Sequence, residues 1–388
     1  MLTLVVVTVV TALVFDYTNG FHDTANAMAT TIATRALRPR VAVGMASVLN
    51  FVGAFLSVTV AATIASGIVD QTTITVPVVF AGLIGAIVWN VITWYGGIPS
   101  SSSHALVGGV VGAVLAAEGT AGVVWSGIAA KVLIPALLAP FVCGLAALVA
   151  TRLAYRLTRS IDDESVGKGY RRSQIFSSGL VALAHGTNDA QKTMGVIVLT
   201  LVAGGQLSAG AGVPFWVKAT CAIAVALGTF SGGWRVIRTL GTKVTHVEPG
   251  QGFSAETASA TTILSSAFFG FSLSTTQVVS GGVVGAGLGR TGGVVQWWVV
   301  RRMVLAWLVT LPAAGLMGAA AEGAVSAFPS DTAGVAFVAA LAVAVVSFLA
   351  VRSRRTSVNA GNVIDAIPPD SDPVFPDKPI VPAVAAAS

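Results

Sequence analysis

Gly20-Phe21-His22-Asp23-Thr24-Ala25-Asn26-Ala27-Met28 returns in altered form as Gly186-Thr187-Asn188-Asp189-Ala190-Gln191-Lys192-Thr193-Met194, and both strings lie inside apolar sequence. A second pair follows them. Ser101-Ser102-Ser103-His104-Ala105-Leu106-Val107-Gly108-Gly109 matches Ser274-Thr275-Thr276-Gln277-Val278-Val279-Ser280-Gly281-Gly282. Asp23 precedes Ser101 by 78 positions and Asp189 precedes Ser274 by 85. The chain therefore consists of two halves on one plan. Each half places polar groups where the surrounding sequence resembles hydrocarbon, the construction of many secondary transporters.

Composition sets the solvent. Hydrophobic residues make up 54% of the chain and charged residues 10%, against about 25% charged in soluble domains. Apolar stretches of roughly 20 residues, enough to cross a bilayer, recur along the chain. The expected fold class is an all-α polytopic membrane protein with about 10–12 transmembrane segments, some broken or re-entrant. Met1 to Phe15 lacks a basic leader region and an A-x-A-like cleavage site, and reads as the start of the first helix. Cys143 and Cys221 lie in apolar runs and read as small packing residues.

The net charge of +6 is distributed as topology signals and does not form a nucleic-acid surface. Cations cluster at Arg35/Arg38/Arg40, from Arg152 to Arg172, at Arg235/Arg238/Lys243, at Arg290/Arg301/Arg302 and at Arg352/Arg354/Arg355, each where an apolar run ends. With these clusters on the cytoplasmic side, the first half crosses five times and the second half enters with the opposite sense. Two inverted-topology repeats follow. The boundaries expected are 1–151 for the first repeat, 152–173 for a charged cytoplasmic linker and 174–322 for the second repeat. A last segment covers 323–358, and 359–388 is a disordered tail rich in Pro and Ala. Within this scheme Val41 to Ser66 and Pro214 to Val236 are single segments, and Val76 to Ala117 and Ala255 to Leu288 can each form a re-entrant hairpin.

Asp23 and Asp189 are the sharpest candidates. A carboxylate at membrane depth costs roughly 2.5–3.5 kcal/mol on insertion scales, so a proton, a bound cation or a cationic side chain must offset it. Asn26 follows Asp23 on the same helix face, Asn188 adjoins Asp189, and Asn19 and Thr24 add polar atoms. Carboxylate, amide and hydroxyl oxygens suit Na⁺ or a proton relay. Glu256 and Asn90 are further intramembrane candidates. The four histidines, His22, His104, His185 and His246, are too few for a dedicated transition-metal site. Ser102, Ser103, Thr275 and Thr276 fall where helices should begin, and free N–H groups with the positive dipole end bind anions there. A plainer reading of the serine strings is hydroxyls bonding their own backbone; the repetition favours the anion. Lys192 is the one cation in a motif, opposite Asn26, and can pair with Asp189 or Asp23 or contact an anion.

These strings resemble the inorganic phosphate transporter family, in its bacterial low-affinity branch, from about Asp16 to Val351. Asn19 to Ala27 is similar to the family's Gly-x-Asn-Asp-x-x-Asn-Ala signature, with His22 in place of the first Asn. His185 to Lys192, Gly232 to Leu240, Gly252 to Glu256 and Ser274 to Thr276 match further family patterns. The resemblance implies symport of inorganic phosphate with H⁺ or Na⁺. It implies cation-site roles for Asp23, Asn26, Asn188 and Asp189, with Na⁺ able to sit at Asp23 and Asp189, and phosphate contacts for Ser101, Ser102, Ser103, Ser274, Thr275 and Thr276. Lys192 departs from the Na⁺-coupled pattern, which has Asn there, and points to H⁺ or to a metal–phosphate complex. The expected setting is the cytoplasmic membrane, with phosphate and the lipid bilayer as partners, no nucleic acid, a homodimer among the possible assemblies, and no cofactor beyond the coupling cation. A sulfate or other oxyanion permease is the alternative. An enzyme is not expected, since no nucleophile or complete metal cluster appears. ATP-driven transport is not expected either, since no Gly-x-x-x-x-Gly-Lys-[Ser/Thr] string is present.

Overall fold

The computed structural model describes residues 1–71 and 73–365. Fourteen α-helices run through them: α1 (Leu2–Ala33), α2 (Pro39–Gly53), α3 (Thr59–Gly67), α4 (Val76–Tyr95), α5 (Ser102–Glu118), α6 (Trp125–Ile128), α7 (Ile134–Thr158), α8 (Asp163–Ala203), α9 (Phe215–Ser231), α10 (Trp234–Thr242), α11 (Pro249–Phe268), α12 (Thr275–Gly289), α13 (Trp297–Ser326) and α14 (Asp331–Ser353). No strands occur among the described residues; two isolated bridges, Val69 to Val123 and Thr245 to Val295, stand at corresponding places in the two halves.

Six of these helical stretches are long and apolar enough to cross a bilayer, or seven if the bent pair α9–α10 counts as one span. The sequence reading of about 10–12 segments is larger because it also counts helices too short or too polar to meet that description. Several helices are short, such as α2 and α3, and α8 and α11 carry the polar residues of the interior. Val41 to Ser66 and Pro214 to Val236 are each two helices, because the chain breaks after Gly53 and at Gly232–Gly233. Gly232 has φ 72°, a left-handed conformation open to glycine, and the axis turns by 67°. The charged stretch 152–173 is mostly helical: α7 reaches Thr158, and Asp162 caps α8 by accepting the Ser165 N–H, so only four residues lie between the helices. The start of the supposed tail is ordered. Arg238 donates to the Asn362 carbonyl and Val363 is buried; 366–388 lie outside the described residues.

The halves interlock. α2 packs on α8, while its counterpart α9 packs on α1; α7 packs on α11 and α12, while its counterpart α13 packs on α4 and α5. Every such pair has its mirror in the other half, as a two-fold relation requires. The close approaches repeat too. A Cβ on Gly20 would lie 2.4 Å from the Val225 carbonyl oxygen, and one on Gly186 would lie 2.2 Å from that of Asn50. A Cβ on Gly112 would lie 2.0 Å from the Gly315 oxygen, and one on Gly285 would lie 1.9 Å from that of Gly144. Small residues at these crossings let backbones approach, the usual basis of helix packing in lipid. The outer helices α7, α13 and α14 leave most of their apolar surface outward, whereas α4 is largely buried. The two motif helices α1 and α8 run through the interior.

Candidate functional site

The four motifs meet at one place. Asp23 on α1 and Asp189 on α8 are both buried, as are Asn26, Asn188 and Lys192. The starts of α5 and α12 point at them. Ser102 Oγ donates to Asp23 Oδ2 (2.5 Å), and Thr275 Oγ1 donates to Asp189 Oδ2 (3.1 Å). These are equivalent bonds in the two halves.

Other bonds cross between the halves. Asn26 Nδ2 donates to Thr276 Oγ1 (3.0 Å), and its counterpart Lys192 Nζ donates to Ser103 Oγ (2.5 Å). Thr276 Oγ1 donates to Asp23 Oδ1 (3.3 Å). The His22-for-Asn exchange also becomes intelligible. His22 Nδ1 lies 2.7 Å from Asp23 Oδ1, as Asn188 Nδ2 lies 2.9 Å from Asp189 Oδ1. A ring N–H at Nδ1 would donate to the carboxylate from there, as the Asn188 amide does.

Lys192 is the centre of charge. Its Nζ also donates to Asp189 Oδ1 (2.5 Å) and to the Leu273 carbonyl (2.7 Å), with 2% of the side chain exposed. The ammonium therefore stands against one carboxylate of the pair, and no comparable side-chain ammonium or guanidinium pairs with Asp23 among the described residues.

Not all six hydroxyls of the Ser/Thr strings reach the cluster. Ser101 accepts the His104 N–H (3.1 Å) and Ser274 accepts the Gln277 N–H (3.3 Å), so both are helix caps. For these two the plainer reading of the sequence describes the side chain. It follows that Ser102, Ser103, Thr275 and Thr276 occupy the first turns of α5 and α12, where N–H groups lack intrahelical partners. The site thus offers hydroxyls, amide N–H groups, two helix N-termini and one ammonium as donors, with two carboxylates as acceptors.

Glu256 is not brought to this cluster. On α11 it accepts from Thr30 (2.7 Å), Thr31 (2.8 Å), Gln174 (3.0 Å) and Ser177 (2.5 Å), two turns of α1 beyond Asp23 toward Arg35. Asn90 makes no side-chain hydrogen bond to the cluster, and both of its side-chain polar atoms are buried and unpartnered. A residue the sequence reading did not rank is His185. It lies one turn before Asp189, its Nε2 is 3.0 Å from Asp189 Oδ2, and its Nδ1 is 3.1 Å from Asn50 Oδ1. Ligand atoms of Asp23, His185 and Asp189 all fall within 4.8 Å of one another. The spacing of His185 and Asp189 by four on one helix was the available signal.

Comparison with known proteins agrees with this arrangement. A family model described as "Phosphate transporter family" matches residues 19–318. The chain is 53% identical over 392 aligned positions to the "Probable low-affinity inorganic phosphate transporter" of Mycobacterium bovis, covering 98% of this chain and 93% of that one. It is 40% identical over 323 positions to the protein of the same description from Bacillus subtilis, covering 83% and 97%. Among solved structures it resembles one described as "The sodium-dependent phosphate transporter", with a TM-score of 0.75, 25% identity, and coverage of 84% of this chain and all of that one. The family and these relatives are transporters and not enzymes, and the helical architecture is that of a multi-pass membrane protein. The chain belongs to the phosphate transporter family.

Proposed function

We propose that the protein imports inorganic phosphate across the cytoplasmic membrane by symport, with H⁺ as the coupling ion. The carrying observation is the Lys192 ammonium 2.5 Å from Asp189 Oδ1. A fixed cation already balances that carboxylate, so a second mobile metal cation there would be repelled. Asp23, which no side-chain ammonium or guanidinium pairs among the described residues, is the acid left to take a proton. Asn188 orients Asp189 directly, and Asn26 acts on Asp23 through the Thr276 hydroxyl. Glu256 serves as a further coupling-ion station toward the cytoplasmic end, a role supported by its burial among four donors.

The anion reading rests on Ser102, Ser103, Thr275, Thr276 and Lys192. When phosphate enters, these donors turn from the carboxylates to its oxygens, and the N-termini of α5 and α12 add N–H groups. Phosphate at neutral pH still carries O–H groups, which the Asp189 carboxylate can accept while Asp23 holds the coupling proton. Sulfate has none, and a buried acceptor facing it would be left unpaired. The two halves, about 1–151 and 174–322, then rock around this site to alternate access.

A second reading is a metal–phosphate complex as cargo, which the convergence of Asp23, His185 and Asp189 favours. Purified protein in liposomes tests both. Phosphate accumulation driven by an inward pH gradient, without Na⁺ and unaffected by a metal chelator, is expected. Uptake that strictly needs Na⁺ and ignores the pH gradient overturns H⁺ coupling; strict dependence on a divalent metal replaces it with the second reading. Competition by sulfate as strong as by unlabelled phosphate overturns the substrate assignment.

A further inference from the structure

α1 carries one polar stripe that extends past the site on the side away from Arg35. Asp16, Asn19, Asp23, Asn26 and Thr30 are spaced three and four apart, share a face of the helix and are all buried. Asp23, Asn26 and Thr30 are accounted for above. Asp16 and Asn19 are not, although Asp16 is fully buried.

The environment of Asp16 is unlike that of the other interior acids. Its Oδ1 accepts from Thr193 Oγ1 (2.9 Å), and its Oδ2 has no partner. One turn along, Asn19 Oδ1 is also buried and unpartnered. The charged and titratable groups near Asp16 are Asp189 and Lys192 on α8 and Cys221 on α9. Lys218 lies three residues before Cys221 on α9, further from the site. α4, the third helix against this part of α1, has no charged residue, and its one ionisable group, Tyr95, is its last residue.

Two oxygens without a hydrogen bond, Asp16 Oδ2 and Asn19 Oδ1, stand one turn apart, and the Asn19 amide also interacts with the Asp16 carboxylate. A hard metal cation would want about six oxygens, and far fewer converge here. A single proton on Asp16 Oδ2 removes the buried charge and supplies a donor for Asn19 Oδ1. Thr193, which holds the other carboxylate oxygen, lies one turn from Asp189 on α8 and next to Lys192. Asp16 itself stands seven residues, or roughly 10 Å, from Asp23 along the helix.

We propose that Asp16, with Asn19 and Thr193, is a proton-binding station on the outer side of the phosphate site, through which the coupling proton reaches the central carboxylates. Asp16 Oδ2 takes a proton from external water, becoming a neutral acid. It gives that proton up inward to the Asp23/Asp189 cluster, returning to carboxylate. This extends the H⁺-symport reading and rests on it.

The test uses the full chain in liposomes, with Asp16→Asn imitating the protonated acid. Two rates are compared: phosphate accumulation driven by a pH gradient, and phosphate–phosphate counterflow at equal pH, which needs no net proton entry. Counterflow is expected to stay within about twofold of wild type while driven accumulation falls on the order of tenfold or more, with partial recovery in Asp16→Glu. Driven accumulation at the wild-type level in Asp16→Asn overturns the proposal and leaves proton coupling intact. Equal loss of both activities in folded protein also overturns it, since that marks a packing role. Wild type indifferent to the pH gradient removes the coupling reading and this station together. If Asp16→Asn does not fold, Thr193→Val decides. Losing a donor to the carboxylate favours the neutral acid, so the pH midpoint of driven uptake should move up, and an unmoved midpoint overturns the proposal.

Discussion

Replacing Lys192 by Met keeps the length and apolar stem of the side chain and removes the charge. In the structure the ammonium donates to Asp189 Oδ1, Ser103 Oγ and the Leu273 carbonyl from a position 2% exposed to solvent. Removing it leaves Asp189 as a buried carboxylate that has lost its strongest partner. Breaking a buried ion pair from one side costs on the order of 3–5 kcal/mol. The Leu273 carbonyl and Ser103 hydroxyl lose a donor as well, at about 1–3 kcal/mol for any group left unsatisfied. Asp189 can escape part of the cost by taking up a proton. A net loss of about 3 kcal/mol is therefore expected from Lys192→Met, visible as a lower melting temperature of the purified protein in detergent. Asp189→Asn alone leaves the lysine unpaired and should cost a similar amount. In the double variant neither charge remains, and most of the loss should be recovered, a coupling of about 2 kcal/mol or more in a double-mutant cycle. If Lys192→Met melts with wild type, or if the double variant is the sum of the singles, the pair is not a stabilising unit and the account of Lys192 as a fixed counter-charge fails.

Four other outcomes are expected. Ser102→Ala should abolish phosphate uptake, whereas Ser101→Ala, which loses only a helix cap, should cost about 1 kcal/mol of stability and retain transport; equal transport defects would contradict the division between cap and site. Lys192→Asn should make uptake Na⁺-stimulated, since an amide oxygen replaces the ammonium; transport assays with and without Na⁺ decide it. Gly112→Ala and Gly285→Ala should each destabilise by roughly 1–3 kcal/mol, because the new methyl would meet the backbone of Gly315 or Gly144; unchanged melting would refute those crossings. Arg235→Ala should free the end of α14 to limited proteolysis, because the guanidinium donates to the Tyr95, Ser353 and Thr356 carbonyls. A wild-type digestion pattern would count against that clamp.

The duplicated strings themselves, set in apolar sequence, were enough to establish a two-part membrane protein with paired acidic and hydroxyl clusters. Asp23, Asp189 and the two helix starts were legible because a buried charge in lipid is costly and its repetition is hard to explain by packing. The break at Gly232–Gly233 could be guessed as a glycine-rich helix end, but not the 67° turn. Sequence spacing could not decide how the hydroxyls divide their partners. Ser101 and Ser102 are neighbours of one residue type, yet one caps a helix and the other donates to Asp23, because successive residues at a helix start point in different directions.

The same limit explains Glu256 and His185. Both are ionisable residues in apolar runs, and local sequence, even the four-residue spacing of His185 and Asp189, does not say which partners from other helices they meet. Only the packing of α11 against α1 and α8 gives Glu256 its own ring of donors, and only the placing of Asp23 opposite α8 brings His185 within reach of both carboxylates. Sequence by itself determined the solvent, the two-fold plan and the kinds of ligand atoms, since these depend on composition and repetition. Tertiary structure decided which oxygen meets which donor and where Lys192 rests, since hydrogen bonds and ion pairs between distant segments act over a few ångströms that spacing along a chain does not encode.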